Sequence, residues 1–408
     1  MSAQAGALAT LRSPTFATFW LAQAISRFGD PITLIALAAA SFRLTGSAFV
    51  TSLAVLVATV PQATFGFFGG AIADALGHRR AMVACDLLRA GLIALVPTAL
   101  DPDLPLALPY GLVVAAAVCA AVFNPARLAL VPAITPPERL AASNAVVFAT
   151  DRTVEILGAL AAGLLVAVVG DNAFYVDALT FAISALLLTR LSVRESAPRP
   201  LSFTRTWRDA MAGIDFIRRS TVLSTNTAFS LLAQLSMPVF NGLTPVLVFR
   251  RFADLDADIG AAQFGEAEAA FAVGAVAGGL LLPRLLGRVR KGRLVIGGLA
   301  LFGLALVLVA WSPTFELFLA LLIVAGILNV VFFVPNVTIA QEVTPPALRG
   351  RVFGARLSLL SLSWLPVIMF GGALADRFPV SLLIGAAGAF TLVIALAATQ
   401  ISAISEVE

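Results

Sequence analysis

The chain is poor in charged residues: of its 408 residues, 60% are hydrophobic and only 12% are charged. A soluble protein is typically about half apolar and about a quarter charged. Too little polar surface is therefore present to cover a water-soluble body, and the composition predicts a membrane protein with many spans. The formal net charge of +4 is spread over short segments between apolar runs, so it concerns membrane orientation and does not indicate nucleic acid binding.

Histidine and cysteine are almost absent, which excludes several kinds of site. The single histidine, His78, has no candidate co-ligands beside it, and the two cysteines, Cys85 and Cys119, lie in apolar runs. Neither pattern provides a disulfide framework or the spacing of metal ligands. The chain also lacks a phosphate-binding loop of the Gly-x4-Gly-Lys type, which argues against an ATP-driven pump and against an enzyme. We therefore expect no metal and no cofactor.

Long apolar runs dominate what is present, and they predict an all-α membrane protein. Twelve runs are long enough to cross a bilayer, which takes roughly 17–25 residues of helix. A polar stretch divides them into six and six, and predicts an N-terminal bundle over 1–192, a linker over 193–222 and a C-terminal bundle over 223–408. Because residues 1–14 lack a basic, cleavable signal pattern, the first run is expected to direct insertion. The runs lie at 16–42, 48–76, 81–100, 104–125, 143–169, 173–191, 223–249, 261–286, 294–311, 315–340, 352–374 and 380–403.

Charge alternates between the segments that join the runs and predicts their orientation. Basic residues, including Arg127 after the fourth run, concentrate in every second segment, and acidic residues in the others. By the positive-inside rule the basic segments and both termini are cytoplasmic, although the tail with Glu406 and Glu408 has no basic residue. Within the linker, Trp207 to Arg219 mixes apolar and charged residues as in an amphipathic surface helix. A structureless tether is the alternative.

The two halves of the sequence repeat each other. The Thr-Pro-Pro motif at Pro136 recurs at Pro345, 209 residues later, in the segments after the fourth and tenth runs. The same shift carries Gly70 onto Gly279, where Gly-Leu-Leu-Leu-Pro-Arg-Leu-Leu-Gly-Arg is a diverged copy of the segment that begins at Gly70. A parallel repeat of six helices accounts for both matches.

The segment from Gly70 to Arg80, between the second and third runs, resembles the signature loop of the major facilitator superfamily. It has a glycine, three residues, Asp74, a second glycine at position 77 and a basic cluster. Further motifs narrow the resemblance to the bacterial branch that includes macrolide efflux proteins and the enterobactin exporter. These are Trp20 to Asp30 in the first run, Asp86-Leu-Leu-Arg89 in the third, Phe174 to Phe181 in the sixth, and Leu348 to Val352 before the eleventh.

This resemblance implies two bundles related by a pseudo-two-fold axis, in the inner membrane of a bacterium, with the transport site between them. It implies export of small hydrophobic or amphipathic molecules by alternating access, coupled to protons or another ion, and we expect a monomer in the bilayer. Two features depart from proton-coupled drug exporters: Gly158 precedes Ala159 instead of a proline, and residues 108–123 contain no arginine. A siderophore, lysophospholipid or nutrient transporter, or a non-transporting sensor, therefore remains an alternative.

The resemblance also implies a gate at the cytoplasmic side. In the superfamily the loop aspartate, here Asp74, faces the cytoplasmic end of the eleventh helix, and a carboxylate at a helix N-terminus is stabilising. Such a contact exists only when the cytoplasmic side is closed, as a gate requires. The predicted gate residues are Gly70, Asp74, Gly77, Arg79, Arg80, Asp86 and Arg89.

Charged residues inside the predicted spans are the candidates for cargo and proton binding. A charge at the bilayer centre costs roughly 2.5–3.5 kcal/mol on insertion scales, so such groups face a wet cavity or a partner. Static ion pairs, Arg27 with Asp30 and Arg152 with Glu155, are the structural alternative, and Asp177 could equally cap its helix. Asp30 ranks first as proton carrier because the first helix lines the central cavity in the superfamily. The candidates are Arg27, Asp30, Asp151, Arg152, Glu155 and Asp177.

Overall fold

A computed structural model describes residues 11–193, 203–286, 288–345 and 348–400. These residues form helices joined by short turns, with no β-strand among them. The chain divides into two compact units: unit 1 comprises Met1–Ala40 and Val57–Thr206, and unit 2 comprises Ser41–Leu56 and Trp207–Glu408. Residues 41–56, which end the first long helix and begin the second, thus belong to unit 2.

Seven helices cover the first part of the chain. Two single 3-10 turns, Pro137–Arg139 and Gly170–Asn172, precede the sixth and seventh of them. Unit 1 has an apolar core that includes Phe16, Phe19, Met82, Phe123 and Leu130. The helices are α1 (Pro14–Thr45), α2 (Ala48–Leu76), α3 (His78–Ala94), α4 (Val96–Ala99), α5 (Ala107–Ile134), α6 (Leu140–Val169) and α7 (Ala173–Thr189).

Eight helices follow in unit 2. Their core includes Phe229, Leu299 and Phe332, with the rings of Phe229 and Phe332 packed edge to face at 6.3 Å. The helices are α8 (Phe203–Arg219), α9 (Thr221–Ala233), α10 (Ser236–Arg251), α11 (Ala257–Leu286), α12 (Lys291–Trp311), α13 (Phe315–Val343), α14 (Arg349–Ala375) and α15 (Val380–Ala398).

The sequence repeat has a counterpart in how helices pack within each unit. In unit 1, α3 packs against α5 and α7, and in unit 2, α12 packs against α13 and α15. Gly69 and Gly278, separated by the repeat distance of 209 residues, each bring a helix close to the backbone of another. A Cβ at Gly278 would lie 2.8 Å from the carbonyl oxygen of Ile327, so only glycine permits this approach.

Helix α8 occupies most of the second half of the predicted linker. Ile217 is buried and Ile214 and Phe216 are partly buried against the beginning of α14, whereas Arg218 and Arg219 are exposed. One face of α8 is thus apolar and packed. Its location on the membrane surface stays a prediction. Residues 194–202 of the linker lie outside the described residues.

The end of α14 contacts the start of α2 within unit 2. Asp376, directly after α14, accepts hydrogen bonds from the backbone N–H of Ala48 at 2.6 Å and from the Ser47 hydroxyl at 2.8 Å. Arg250 lies 3.6 Å from the same carboxylate. Asp376 therefore caps the N-terminus of α2, where a negative charge is favourable.

The helices agree with the predicted runs in position. Each of the twelve runs contains a helix, and two runs contain two each: the third has α3 and α4, and the seventh has α9 and α10. Within the described residues, ten stretches of helix are long and apolar enough to cross a membrane by length and composition. The all-α fold is as predicted. The count of twelve crossings and the division at 193–222 stay predictions, and the tail with Glu406 and Glu408 lies outside the described residues.

Candidate functional site

Asp30 lies at the centre of a network of buried and partly buried charges in unit 1. Its carboxylate accepts a hydrogen bond from Arg89 of α3 and lies 3.7 Å from Arg27, one turn earlier in α1. Arg89 also lies 3.8 Å from Asp86, which accepts a hydrogen bond from Ser26 at 3.2 Å. The Arg89 guanidinium thus interacts with two carboxylates, that of Asp30 on α1 and that of Asp86 on α3.

Asp177 reaches the same region from α7. Its carboxylate is fully buried and is hydrogen-bonded to the hydroxyls of Thr33 and Thr180, the latter at 3.3 Å. A Cβ at Gly29 would overlap with the Asp177 carboxylate, so the glycine in α1 makes the space that this group occupies. Asp177 is therefore built into the α1–α7 contact, and no guanidinium donates a hydrogen bond to it among the described residues.

A small cavity joins these groups. It measures about 40 Å³ and is lined by Asp30, Arg89 and Asp177 together with Thr33 and Phe181. The Arg89 guanidinium stacks over the Phe181 ring at 3.8 Å, which fixes it between the carboxylates. A polar cavity needs roughly 10–15 Å³ of such volume for each water molecule, so this one has room for water between Asp30 and Asp177.

A second branch of the network runs through Asp151 of α6. Arg127 donates to both oxygens of Asp151, at 2.8 and 3.1 Å, and to the side-chain oxygen of Gln23 at 2.5 Å. Arg27 lies 3.7 Å from Asp151. Since Arg27 also faces Asp30, it connects the two branches.

The network has more carboxylates than guanidiniums. Four carboxylates face three guanidiniums, which leaves one negative charge in excess if every group is ionised. An unpaired charge is costly in an apolar interior. Uptake of a single proton, or of a monovalent cation, would balance the site. The carboxylates are those of Asp30, Asp86, Asp151 and Asp177, and the guanidiniums are those of Arg27, Arg89 and Arg127.

Arg127 corrects an expectation from the sequence. Its segment was expected to be a cytoplasmic loop, because Arg127 follows the fourth apolar run at 104–125 and belongs to a basic segment. Helix α5 instead continues through Pro125 to Ile134, and Arg127 is only 6% exposed within it. Transmembrane helices tolerate proline when neighbouring groups satisfy the freed backbone. The fourth apolar run thus ended too early in the sequence prediction, whereas the absence of an arginine from residues 108–123 stands.

Asp86 and Arg89 also differ from expectation. The sequence predicts them as gate residues beside Asp74, whereas in the structure they contact Ser26 and Asp30. Asp86 lies eight residues after His78, which is about 12 Å along the helix at 1.5 Å per residue. This distance separates both residues from the start of α3 and brings them level with the middle of α1.

Arg152 and Glu155 lie apart from the network. They form an ion pair with each other, and their side chains are 40% and 45% exposed. The Arg152 guanidinium lies 5.6 Å from the centre of the Phe148 ring, itself exposed. Of the charged candidates in α6, only Asp151 joins the buried groups.

The segment from Gly70 to Arg80 is helical on both sides of one residue. Helix α2 continues to Leu76, and α3 begins at His78, so the expected loop reduces to Gly77, whose φ of 85° favours glycine. Asp74 lies 3.0 Å from the His78 ring, and both are partly exposed. The segment is thus a tight turn between two helices.

The basic residues after the turn have different surroundings. Arg79 donates hydrogen bonds to the carbonyls of Leu188 and Thr189, at 3.0 and 2.9 Å, and so caps the C-terminus of α7. Arg80 is exposed. Gly70 is not crowded, since the nearest atom to a Cβ there would be Pro125 Cβ at 3.8 Å. The gate role of these residues stays a prediction.

Gln23, Thr33 and Arg127 belong to the site although the sequence did not single them out. Thr33 follows Asp30 by three residues and Gln23 precedes Arg27 by four, which places all four on one face of α1. This spacing was available in the sequence as a signal. Arg127 had no such signal, because its partners lie on other helices.

Comparison with known proteins assigns the family. Residues 19–365 and 252–402 match the sequence profile of the Major Facilitator Superfamily. The chain belongs to this superfamily. Macrolide efflux protein A of Streptococcus pyogenes is 26% identical over 401 residues, covering 96% of this chain and 97% of its own. The multidrug efflux pump Tap of Mycolicibacterium fortuitum is 26% identical over 365 residues, covering 85% and 86%. The predicted family is confirmed.

Solved structures support the fold. A crystal structure of the nucleoside transporter NupG superposes with a TM-score of 0.73 at 14% identity, covering 95% of this chain and 98% of that one. The peptide transporter POT in complex with sulfate gives a TM-score of 0.73 at 14% identity, covering 98% of each chain. These relatives are transporters and not enzymes. Membership of the superfamily, together with the similarity to the efflux proteins, makes the chain a multi-pass membrane transporter of a small-molecule substrate.

Proposed function

We propose that this transporter exports small hydrophobic or amphipathic molecules by alternating access, in exchange for protons. Support for the cargo class comes from relatives whose names describe macrolide and multidrug efflux. Support for proton coupling comes from one observation, the excess carboxylate in the buried network of unit 1. Asp177 is the best candidate for the proton because it is fully buried and its two hydrogen-bond partners are hydroxyls.

Hydroxyl partners suit a group that changes its protonation. The Thr33 hydroxyl can donate to an ionised Asp177 and can accept from a protonated one. The Thr180 hydroxyl donates to the Asp177 backbone carbonyl at 2.7 Å and can accept from the protonated side chain, so both forms keep hydrogen bonds. A guanidinium can only donate, and therefore favours the ionised form of its partner. Asp30 and Asp151, which have guanidinium partners, are better suited to remain ionised.

Arg89 links protonation to helix position in this proposal. It hydrogen-bonds Asp30 of α1 and lines the cavity that Asp177 of α7 shares. When Asp177 is ionised, Arg89 is attracted toward α7 as well as toward α1. When Asp177 is protonated, only the attraction to α1 remains. A proton thereby changes the relative energies of two helix arrangements, as a coupled transporter requires.

The remaining assignments follow the family resemblance. We propose the inner membrane of a bacterium as the location, with both termini cytoplasmic, and a monomer as the working form. Asp74 is proposed as the gate aspartate. Gly70, Gly77 and the basic residues after the turn are proposed as further residues of the same gate. Domain boundaries near 192 and 222 belong to the same proposal.

Reconstitution into proteoliposomes tests the proposal. With an acidic lumen, ethidium or a radiolabelled macrolide should accumulate in the lumen as protons leave, and nigericin, which collapses the pH difference, should abolish this. Protein-free liposomes are the control, and they matter for macrolides because weak bases are trapped in acidic compartments without any transporter. Ethidium is a permanent cation and avoids this effect.

The same vesicles distinguish the proposed cargo class from the alternative ones. Accumulation of a ferric catecholate siderophore or of lysophosphatidylcholine, without ethidium or macrolide, would assign the alternative cargo. Accumulation that persists after nigericin would exclude proton exchange. Uptake of none of these compounds above the protein-free control would contradict the proposed export function.

A further inference from the structure

A cavity in unit 2 has no part in the charge network. It measures about 400 Å³ and lies among α10, α14 and α15. Small-molecule sites in proteins typically span about 300–1,000 Å³. No charged residue lines it among the described residues, and its walls are aliphatic and aromatic. Phe370 at its rim is 71% exposed, so the cavity is open on one side.

A break in a membrane helix forms one wall of this cavity. Pro238 has no N–H, so the carbonyl of Gln234 loses the donor that a continuous helix would provide. Helix α9 accordingly ends at Ala233 and α10 begins at Ser236, with the Met237 N–H bonded to the Gln234 carbonyl at 3.2 Å. The break lies within one apolar run and therefore at membrane depth.

Ser236 is left without a partner at this break. Its side chain is 1% exposed, it lines the cavity, and its hydroxyl has no hydrogen-bond partner among the described residues. A buried polar group without a partner is destabilising, and native structures contain few of them. The hydroxyl can therefore bind a polar atom of a molecule that occupies the cavity.

We propose that this cavity binds an uncharged, largely apolar small molecule whose single hydroxyl, ester or ether oxygen is hydrogen-bonded by Ser236. A charged head group is excluded because no lining residue could compensate it. Two sources share this chemistry: a neutral lipid of the bilayer, and an uncharged compound that has partitioned into it. The proposal does not depend on proton coupling or on the direction of transport.

Photolabelling in lipid nanodiscs tests the site. The probes are a diazirine-bearing long-chain alcohol and a matched diazirine alkane without the hydroxyl. Adducts mapped by mass spectrometry should fall on residues 366–374 and 383–390. The alcohol should label about fivefold more than the alkane, as one net hydrogen bond predicts. Ser236→Ala should bring the two probes to equal labelling while leaving the alkane unchanged.

A filling variant provides an independent test. A Cβ at Gly371 would meet only Val239 Cγ2, at 3.9 Å, so Gly371→Leu should project into the cavity without moving the backbone. It should reduce labelling by both probes at least tenfold. Gly297→Leu in α12 is the matched control, since a Cβ there has no neighbour within 4 Å, and it should label as wild type. Gel filtration verifies that each variant is folded.

Competition identifies the source. Displacement of the alcohol probe by excess diacylglycerol assigns a lipid, and displacement by menthol, an uncharged and largely apolar compound with one hydroxyl, assigns a compound that has partitioned into the bilayer. Either result supports the site. Displacement by neither compound, unchanged labelling in Gly371→Leu, or a persistent preference for the alcohol in Ser236→Ala would each overturn it.

Discussion

Replacing Asp177 by asparagine should uncouple cargo movement from protons. Asparagine has nearly the same shape as a protonated aspartate, and its side chain can still pair with the hydroxyls of Thr33 and Thr180. The buried network would then hold three carboxylates and three guanidiniums permanently, with no negative charge in excess. We expect the variant to fold, to bind cargo, and to exchange cargo across the membrane without net proton movement.

The size of the effect follows from the charge count. One excess carboxylate predicts one proton per cycle, and exchange of one proton for one ethidium ion is electroneutral. A pH difference of one unit is worth about 1.4 kcal/mol, so it can sustain about a tenfold ratio of ethidium. In Asp177→Asn this ratio should fall to about one, whereas ethidium–ethidium exchange at equal pH should persist.

The assay uses proteoliposomes with an acidic lumen and potassium with valinomycin to hold the membrane potential at zero. Glu155→Gln is the matched control, since it also removes one carboxylate charge from unit 1 but at an exposed ion pair outside the network. It should retain the tenfold ratio. A tenfold ratio in Asp177→Asn would refute the role of Asp177, and a wild-type ratio near one hundred would refute the count of one proton.

Three further predictions concern stability, measured by thermal unfolding of the purified protein. Asp376→Ala should cost about 0.5–2 kcal/mol by removing the cap of α2, and Asp376→Asn should cost less. Gly278→Val should cost about 1–3 kcal/mol or more by overpacking two close helices, whereas Gly279→Val, with open space around its Cβ, should cost little. Arg127→Met should cost up to about 3–5 kcal/mol because it leaves Asp151 with only the longer contact to Arg27, whereas Arg356→Met, which leaves only neutral partners, should cost clearly less.

Composition and the length of the apolar runs predicted the fold because the bilayer imposes a simple rule. An apolar run of the right length must form a helix, since only a helix satisfies its own backbone groups in lipid. The all-α class and the positions of the helices follow from this rule. Helix ends are less constrained, because a helix can continue beyond the bilayer edge or through a proline. This is why α5 includes Arg127, and why the turn at Gly77 is a single residue.

The sequence indicated several members of the charge network, but not the contacts between them. Placing Arg27, Asp30 and Asp177 among the candidates needed only the cost of charge in an apolar run. Their partners depend on which helix faces which, and that is decided by packing between distant segments. The pairing of Asp30 with Arg89 joins residues 59 positions apart, and no local pattern specifies it.

Buried charged groups have different partners in the two units. In unit 2, Arg356 is 4% exposed and donates to Asn226 at 2.7 Å and to Ser230 at 3.1 Å, with no carboxylate within ion-pair distance among the described residues. Amide and hydroxyl side chains do not ionise near neutral pH, so the charge of this cluster is fixed. The carboxylates around Asp177 have no such restriction. Substitution of Arg356 should therefore change stability or cargo affinity and leave the number of protons exchanged per cargo molecule as in the wild type.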